Sequence, residues 1–200
     1  MLWTIVPIRG LASSKSRLAG TINDEERLAL NDWMLRTVLE AIEGNQAGLD
    51  RCLVVSPSAD ALTLAQACGA QTLTEPAGVG LNQGLGFAMW HATTLGASQV
   101  MVLSADLPYV TSKAIDGLLD VARAGEWVVV AADHTGTGTN ALVLRLPTTF
   151  TFQFGEGSLL LHREEAIRAG AAVVVHRDAA LAHDLDSPAD LARWQATLHK

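Results

Sequence analysis

Three aspartates lie where carboxylates could hold a divalent cation. Asp106 follows the apolar run Val100–Ser104, and Asp184 and Asp186 are two residues apart before Ser187 and Pro188. In an extended chain this spacing points both side chains to one face. Magnesium prefers oxygen ligands and commonly bridges substrate phosphates. We therefore predict that Asp106, Asp184 and Asp186 together hold Mg²⁺.

Each aspartate also has a purely structural interpretation. Asp106 lies just before Pro108, and its alternative role is simply to form a turn of the chain. The alternative role of Asp186 is simply to stabilise the positive, amino-terminal end of the last helix. Ser187 already supplies a cap for that helix, however, and the dipole interpretation leaves Asp184 unexplained. Metal binding is the preferred hypothesis for this set.

A basic loop, residues 7–20, follows the first apolar run and places Arg9, Lys15 and Arg17 among small residues. Cationic side chains supply charge and donors to phosphate oxygens, and small residues let backbone N–H groups approach. The Walker pattern Gly-x-x-x-x-Gly-Lys-Ser/Thr is absent. We predict a phosphate-binding loop, with a solvated basic surface loop as the alternative.

Three glycine-containing segments are weaker candidates. Residues 136–141 match the dinucleotide pattern Gly-x-Gly-x-x-Ala, but strand-like residues follow instead of a helix, so NAD binding is not predicted. This segment and residues 154–158 could still offer donors to a ligand, or be only tight turns. Residues 75–84 carry the amide of Asn82 and could read a purine edge, with a plain helix start as the simpler alternative.

The elements that must position these residues follow from periodicity. Apolar, β-branched runs alternate with helical patterns, which indicates an α/β domain. The predicted strands are Leu2–Pro7, Cys52–Ser56, Val100–Ser104, Trp127–Ala132, Ala141–Leu146 and Val173–His176. The predicted helices are Ala59–Cys68, Leu81–Leu95, Ser112–Arg123, Ser158–Ala169 and Pro188–Leu198, together with a first helix that Asn23 and Glu26 cap and whose apolar stripe is Leu28, Leu35, Val38, Leu39 and Ile42.

Two apolar segments of the predicted strands, Val100–Ser104 and Trp127–Val130, have the composition of strands buried on both faces, as central parallel strands are. Ligands in such sheets bind beyond the carboxyl ends of the strands. No linker or repeat divides the chain, so residues 1–200 are predicted to form a single domain.

Composition limits the partners. With 21 acidic against 14 basic residues, the net charge of -7 opposes binding to nucleic acid or to an anionic membrane. No apolar run is long enough to span a bilayer, and no export signal is recognisable, so we expect a cytoplasmic protein. Cys52 and Cys68 have neither disulfide nor zinc spacing and are expected to be buried thiols.

Considered jointly, seven short motifs carry a resemblance that runs nearly end to end. They are Pro7-Ile-Arg9, Lys15-Ser-Arg-Leu18, Gly80-Leu-Asn82, Ser104-Ala-Asp-Leu-Pro108, Gly138-Thr-Asn-Ala141, Phe154-Gly-Glu-Gly-Ser158 with His162, and Asp184-Leu-Asp-Ser-Pro-Ala-Asp-Leu191. Together they resemble the 2-phospho-L-lactate guanylyltransferase family of coenzyme F-420 biosynthesis, which includes members that use phosphoenolpyruvate or 3-phosphoglycerate.

The resemblance implies a Rossmann-like nucleotidyltransferase fold, similar to nucleotide-diphospho-sugar transferases: a three-layer α/β sandwich with a mixed, mostly parallel sheet. It implies GTP and a phosphorylated three-carbon acid as substrates and Mg²⁺ as cofactor. The implied sites are Asp106, Asp184 and Asp186 for the metal; Arg9, Lys15, Arg17, Gly80 and Asn82 for the nucleotide; Thr139, Gly155 and Ser158 for the acid; and Lys15, Arg17 and Asp106 for catalysis.

Two departures from the family pattern leave the acceptor open: Arg9 replaces a common lysine and Glu156 a usual proline. The alternative enzyme is a nucleotidyltransferase with another acceptor, such as the molybdenum cofactor. A second alternative is a nucleotide-binding regulatory module that has lost catalysis. The sequence also leaves open whether the chain forms a homodimer.

Overall fold

Seven strands form one mixed sheet flanked by helices. The computed structural model describes residues 1–45, 48–125 and 127–198. The strands are β1 (Leu2–Pro7), β2 (Cys52–Ser56), β3 (Gln71–Thr74), β4 (Gln99–Leu103), β5 (Trp127–Ala132), β6 (Thr139–Arg145) and β7 (Ala172–His176). The helices are α1 (Asp24–Glu43), α2 (Ala59–Ala67), α3 (Leu81–Thr94), α4 (Ser112–Arg123), α5 (Ser158–Arg168), α6 (Ala179–Ala182) and α7 (Pro188–Gln195).

The strand order is β3-β2-β1-β4-β6-β5-β7. Only β6 runs against its neighbours: it pairs antiparallel with both β4 and β5, and the other pairings are parallel. The carboxyl ends of β1, β2, β3 and β4 therefore meet at one edge of the sheet. Ligands of open α/β sheets bind beyond this edge.

The sheet is covered on both faces because successive strand residues point to opposite sides. Val6 of β1 belongs to one core cluster with apolar residues of α1, α2 and α4. Its neighbour Ile5 belongs to a second cluster with residues of α3 and α5. Both side chains are fully buried. The arrangement is a three-layer α/β sandwich, as predicted.

Most predicted elements are confirmed, with bounds within three residues. The capping boxes of α1 (Asn23 with Glu26) and α7 (Ser187 with Asp190) are both present. The strand β3 and the short helix α6 were not predicted. Gln71–Thr74 is a polar edge strand of four residues, too short and too exposed to show a periodic signal.

Three expectations need correction. Leu28 does not join the buried stripe of α1, since it is 43% exposed. Cys52 is buried as expected, but Cys68 is only half-buried. Both β4 and β5 are buried on two faces, yet only β4 is central, and each borders the antiparallel β6.

Among the described residues, no helix is long and apolar enough to cross a membrane.

Candidate active site

A cleft of about 760 Å³ runs along the carboxyl ends of four adjacent strands. Its wall includes Asp106 after β4, the basic loop after β1, Pro57 after β2 and Glu75 after β3. The first turn of α3, at Gly80 and Leu81, completes the side next to β3. The parallel pairing of these four strands thus gathers residues that lie far apart in sequence into one groove.

Lys15 lies between two of the predicted metal ligands. Its ammonium nitrogen is 2.6 Å from Oδ2 of Asp106 and 2.5 Å from Oδ1 of Asp186. Only 6% of its side chain is exposed. Burial alone would lower the pKa of Lys15, but the charges of Asp106 and Asp186 outweigh it and raise that pKa. The lysine is therefore a charged, internally paired group at one end of the cleft.

The backbone of Lys15 has an unusual conformation. Its φ of 61° puts it in the left-handed region, and among the described residues it is the only non-glycine with positive φ. Such backbone conformations cost free energy and cluster at functional sites. The conformation starts the 3-10 turn Ser16–Leu18, which buries Leu18 completely.

Asp184 adds a third carboxylate beside this pair. Burial, followed by the charge of Asp106, raises its pKa. Leu185 between Asp184 and Asp186 is fully buried, and its N–H donates to the carbonyl of Asp106 at 3.1 Å. The alternation of a buried leucine with half-buried neighbours agrees with the expectation that Asp184 and Asp186 share a face.

The chemistry of these three side chains fits a divalent cation. All three supply hard oxygen ligands, and two of them, Asp106 and Asp186, meet at one position, which the Lys15 ammonium group fills. In this arrangement, however, no three Asp, Glu, His or Cys side chains of the described residues are grouped to hold a metal ion. The magnesium site at Asp106, Asp184 and Asp186 stays a prediction.

A separate apolar cluster holds the acidic segment against the basic loop. Its buried members are Leu18, Leu30, Met34, Leu185 and Leu191. Trp33 of α1 packs on Trp194 of α7, with ring centroids 4.7 Å apart. Since Leu18 follows Lys15 and Leu185 precedes Asp186, burial of these leucines fixes the two charged partners near each other.

Asn140 of β6 is a site-forming residue that sequence reasoning named only as part of a motif. Its backbone carbonyl accepts from Ser104 N–H at 2.9 Å. Its buried amide nitrogen donates to the carbonyls of Leu181 and Ala182, at 2.9 and 3.2 Å. Asn140 therefore links the segment just before Asp106 to the segment just before Asp184. The motif Gly138-Thr-Asn-Ala141 was the only sequence signal for it.

The structure separates the predicted nucleotide-binding residues. Lys15, Arg9 and Gly80 line the cleft, whereas Arg17 is exposed and outside its wall. Asn82 does not present its amide to the cleft. Its Nδ2 donates to the carbonyl of Phe154 at 3.0 Å, and its Oδ1 accepts from Phe154 N–H at 2.7 Å. The expected reader of the base is thus engaged with the main chain.

The residues predicted to bind the acceptor acid lie outside the main cleft. None of Thr139, Gly155 and Ser158 lines the main cleft; Thr139 and Ser158 are 6% and 2% exposed, and Gly155 is exposed in the loop before α5. A smaller, mainly apolar cleft of about 390 Å³ includes Glu156 and Gly157 of the same loop. The role of these residues toward an acid stays a prediction.

The buried His162 orients Thr139. Gln153 N–H donates to Nε2 of His162 at 3.0 Å, so the ring proton resides on Nδ1, which is 3.0 Å from the Thr139 hydroxyl oxygen. Burial lowers the pKa of His162 to about 4. The neutral ring therefore donates to Thr139 and leaves the hydroxyl proton of that residue for another acceptor.

The sequence of the chain is similar to those of known guanylyl transferases. The family profile described as "Guanylyl transferase CofC like" matches residues 2–199. A phosphoenolpyruvate guanylyltransferase of Rubrobacter xylanophilus is 40% identical, with 98% of this chain and 94% of the relative covered. A 3-phospho-D-glycerate guanylyltransferase of Phenylobacterium zucineum is 36% identical (95% and 88% covered), and a 2-phospho-L-lactate guanylyltransferase of Methanothermobacter thermautotrophicus is 32% identical (94% and 81% covered).

Solved structures share the fold at low sequence identity. A nucleotide-diphospho-sugar transferase candidate from Desulfovibrio desulfuricans gives a TM-score of 0.75 at 15% identity, covering 95% of this chain and 84% of that one. A CMP:2-keto-3-deoxy-manno-octonic acid synthetase complexed with CTP gives 0.66 at 15% identity, covering 99% and 98%. These likenesses show a Rossmann-like α/β fold.

Proposed function

The chain belongs to the family of CofC-like guanylyl transferases, and from this premise we propose that it transfers GMP from GTP to a phosphorylated three-carbon acid. The observation that carries the proposal is the cleft in which Lys15 contacts both Asp106 and Asp186. A buried cation and adjacent carboxylates at the carboxyl ends of parallel strands suit a polyphosphate and its counter-ion.

In the proposed reaction, a phosphate oxygen of the acid forms a bond to the α-phosphorus of GTP. The bond between the α-phosphorus and the bridging oxygen to the β-phosphate breaks, and pyrophosphate leaves with that electron pair. A phosphate monoester is already anionic near neutral pH, so no general base is required. Bringing two anions together is the main electrostatic obstacle, and Lys15 supplies a buried positive charge at this point.

We propose Asp106, Asp184 and Asp186 as the residues that hold Mg²⁺ when the nucleotide is bound. The ion would neutralise charge on the phosphates and fix their geometry. Lys15 then becomes available to donate to phosphate oxygens, since its present partners are the same carboxylates. Arg9, exposed on the cleft wall, adds a second donor for the triphosphate.

The acceptor is proposed to be 2-phospholactate, phosphoenolpyruvate or 3-phosphoglycerate, because relatives at 32 to 40% identity are named for these three compounds. Each combines a phosphate monoester with a carboxylate. Thr139, Gly155 and Ser158 are the proposed contacts for this acid. The guanylylated product would enter the synthesis of the deazaflavin coenzyme F-420 in the cytoplasm.

A pyrophosphate-release screen tests the proposal. Purified protein would be incubated with Mg²⁺ and GTP, and each of the three acids would be added in turn. We expect release with at least one acid, dependent on both the acid and Mg²⁺ and absent in Asp106→Asn. Release only with molybdopterin would point to the alternative acceptor class. Binding of GTP without release under any condition would indicate a regulatory module.

A further inference from the structure

One charged side chain of the cleft has no part in the phosphate chemistry. Glu75 lines the cleft just after β3, where Glu75 N–H donates to the carbonyl of Ser56 at 2.9 Å. Within the described part of the chain its carboxylate has neither a hydrogen bond nor an ion pair. An unpaired carboxylate in a cleft for a polyanion is unfavourable unless it meets donors of the ligand.

Strand order places Glu75 at the opposite end of the cleft from the phosphate chemistry. Asp106 follows β4, and Glu75 follows β3, three positions away in the order β3-β2-β1-β4. At the usual spacing of neighbouring strands this separation is about 14 Å. If the triphosphate lies near Lys15 and Asp106, the ribose and base extend along the cleft toward β2 and β3. Glu75 therefore lies at the end that receives the base.

The carboxylate of Glu75 fits into a notch left by Gly84 of α3. A Cβ atom at Gly84 would lie 3.0 Å from Cδ and 3.1 Å from Oε1 of Glu75. The absence of a side chain at Gly84 thus lets the carboxylate settle against the first turns of α3. This contact defines the direction of Glu75 without consuming its oxygens as hydrogen-bond acceptors.

A carboxylate can distinguish guanine from adenine by the donors on the Watson–Crick edge of each base. The Watson–Crick edge of guanine presents two adjacent donors, N1–H and the N2 amino group, which one ionised carboxylate can accept together. Adenine presents an unprotonated N1 in that place and would oppose the carboxylate. The amide of Asn82, the predicted reader of the base, is hydrogen-bonded to the backbone of Phe154. Glu75 is the cleft residue whose acceptors match guanine.

We propose that Glu75 determines the guanine specificity of this chain by accepting hydrogen bonds from N1–H and N2–H₂ of the base. This inference rests on the proposed function, because it takes the cleft to be the nucleotide site. It adds to that function a residue and an atom-level reason for the choice of GTP over ATP. Buried sites built to pair polar groups discriminate strongly against ligands that lack the partner.

Nucleotide binding measured by calorimetry, without any acceptor acid, tests the proposal. GTP, ITP, which lacks the N2 amino group, and XTP, which carries a carbonyl at that position, would be titrated into wild type and Glu75→Gln with Mg²⁺ present. Wild type should prefer GTP over ITP by about tenfold, the worth of one hydrogen bond to a charged group. Glu75→Gln, whose amide has one acceptor and one donor, should lose that preference and gain affinity for XTP. An unchanged GTP-to-ITP ratio would overturn the proposal.

Gly84→Ala provides an independent variant. The added methyl group would displace the Glu75 carboxylate, whose flexible end can move, while alanine favours a helix interior over glycine. We expect a reduced GTP-to-ITP preference together with an unchanged or higher melting temperature, a combination that a merely structural role does not produce. Glu164→Gln, an exposed position of α5 outside both clefts, is the matched control and should bind like wild type.

The outcomes separate the two proposals. If GTP binds with the expected selectivity but pyrophosphate is never released, guanylyl transfer is wrong and the role of Glu75 stands. If release is observed and Glu75→Gln retains the wild-type selectivity, only the role of Glu75 is wrong. Wild-type protein that binds no purine nucleotide would overturn both.

Discussion

Asn82 and Phe154 exchange two hydrogen bonds across 72 positions of sequence. Asn82 lies in the first turn of α3, beside the cleft, and Phe154 lies in the loop that leads to α5. A single side-chain amide thus joins the helix proposed to flank the nucleotide to the loop proposed to hold the acid. The contact makes the two halves of the candidate site mechanically dependent.

Replacing Asn82 by alanine should damage the acceptor side more than the nucleotide side. The Phe154 backbone loses both partners, so we expect a loss of about 1 to 2 kcal/mol in the free energy of unfolding and a higher Michaelis constant for the acid. Urea denaturation and steady-state kinetics would measure these. Asn82→Asp keeps the acceptor for Phe154 N–H and should have an intermediate effect. A change confined to the GTP constant would return Asn82 to the role of base reader.

Lys15→Ala should lower turnover far more than Arg17→Ala. Lys15 is buried between two carboxylates inside the cleft, whereas Arg17 is exposed and outside its wall. Without Lys15, Asp106 and Asp186 lose their counter-charge, so Mn²⁺ should bind the nucleotide-free protein more tightly. Electron paramagnetic resonance of Mn²⁺ reports this directly. Equal kinetic losses in the two variants would contradict the distinction drawn from burial.

Asp184→Asn should abolish most activity while the folded protein becomes no less stable. The pKa of Asp184 is raised by burial and by the charge of Asp106, so its ionised form opposes folding at neutral pH. The neutral amide removes this cost but supplies a poor ligand for Mg²⁺. Turnover should fall by orders of magnitude as the melting temperature holds or rises. Near-normal activity would exclude Asp184 from the metal site.

Ser158→Ala should act on the acid and spare GTP. Ser158 begins α5, where the positive end of the helix dipole favours an anion. Loss of one hydrogen bond to a charged group would raise the Michaelis constant for the phosphorylated acid about tenfold. Steady-state kinetics with each substrate varied in turn would show it. A larger change in the GTP constant would assign the loop at 155–158 to the nucleotide instead.

His162 makes the stability of the protein depend on pH. Burial lowers its pKa from 6.5 in the unfolded chain to about 4 in the fold, so between these values the unfolded state binds more protons. Stability should therefore fall as pH drops from about 6.5 to 4, by about 3 kcal/mol from this residue. His162→Gln should be less stable at pH 7 but lose this part of the slope. Urea denaturation at several pH values measures both, and an equal slope in the two proteins would be inconsistent with a buried neutral His162.

The sequence predicted those parts of the molecule whose signals are local. Strand β1 and helix α4 show the expected periodicity and were placed without error. The contacts of Lys15 with Asp106 and Asp186 arise from pairing over 91 and 171 positions, which no local pattern encodes. The same limit applies to Glu75, because its place in the cleft depends on β3, a polar edge strand without a periodic signal.

During synthesis, Leu185 and Leu191 are added to the chain long after Leu18, with which they form a cluster in the folded protein. A ribosome makes all seven strands before Asp184 and Asp186, so a nascent chain can have a complete sheet and still lack two of its three carboxylates. Until Leu185 and Leu191 emerge, Leu18 of the basic loop has Leu30 and Met34 of α1 to pack on but lacks the two later members of its cluster. Lys15 then has Asp106 as a carboxylate partner but lacks Asp186, so the proposed cation site stays incomplete until the last segment of the chain is made.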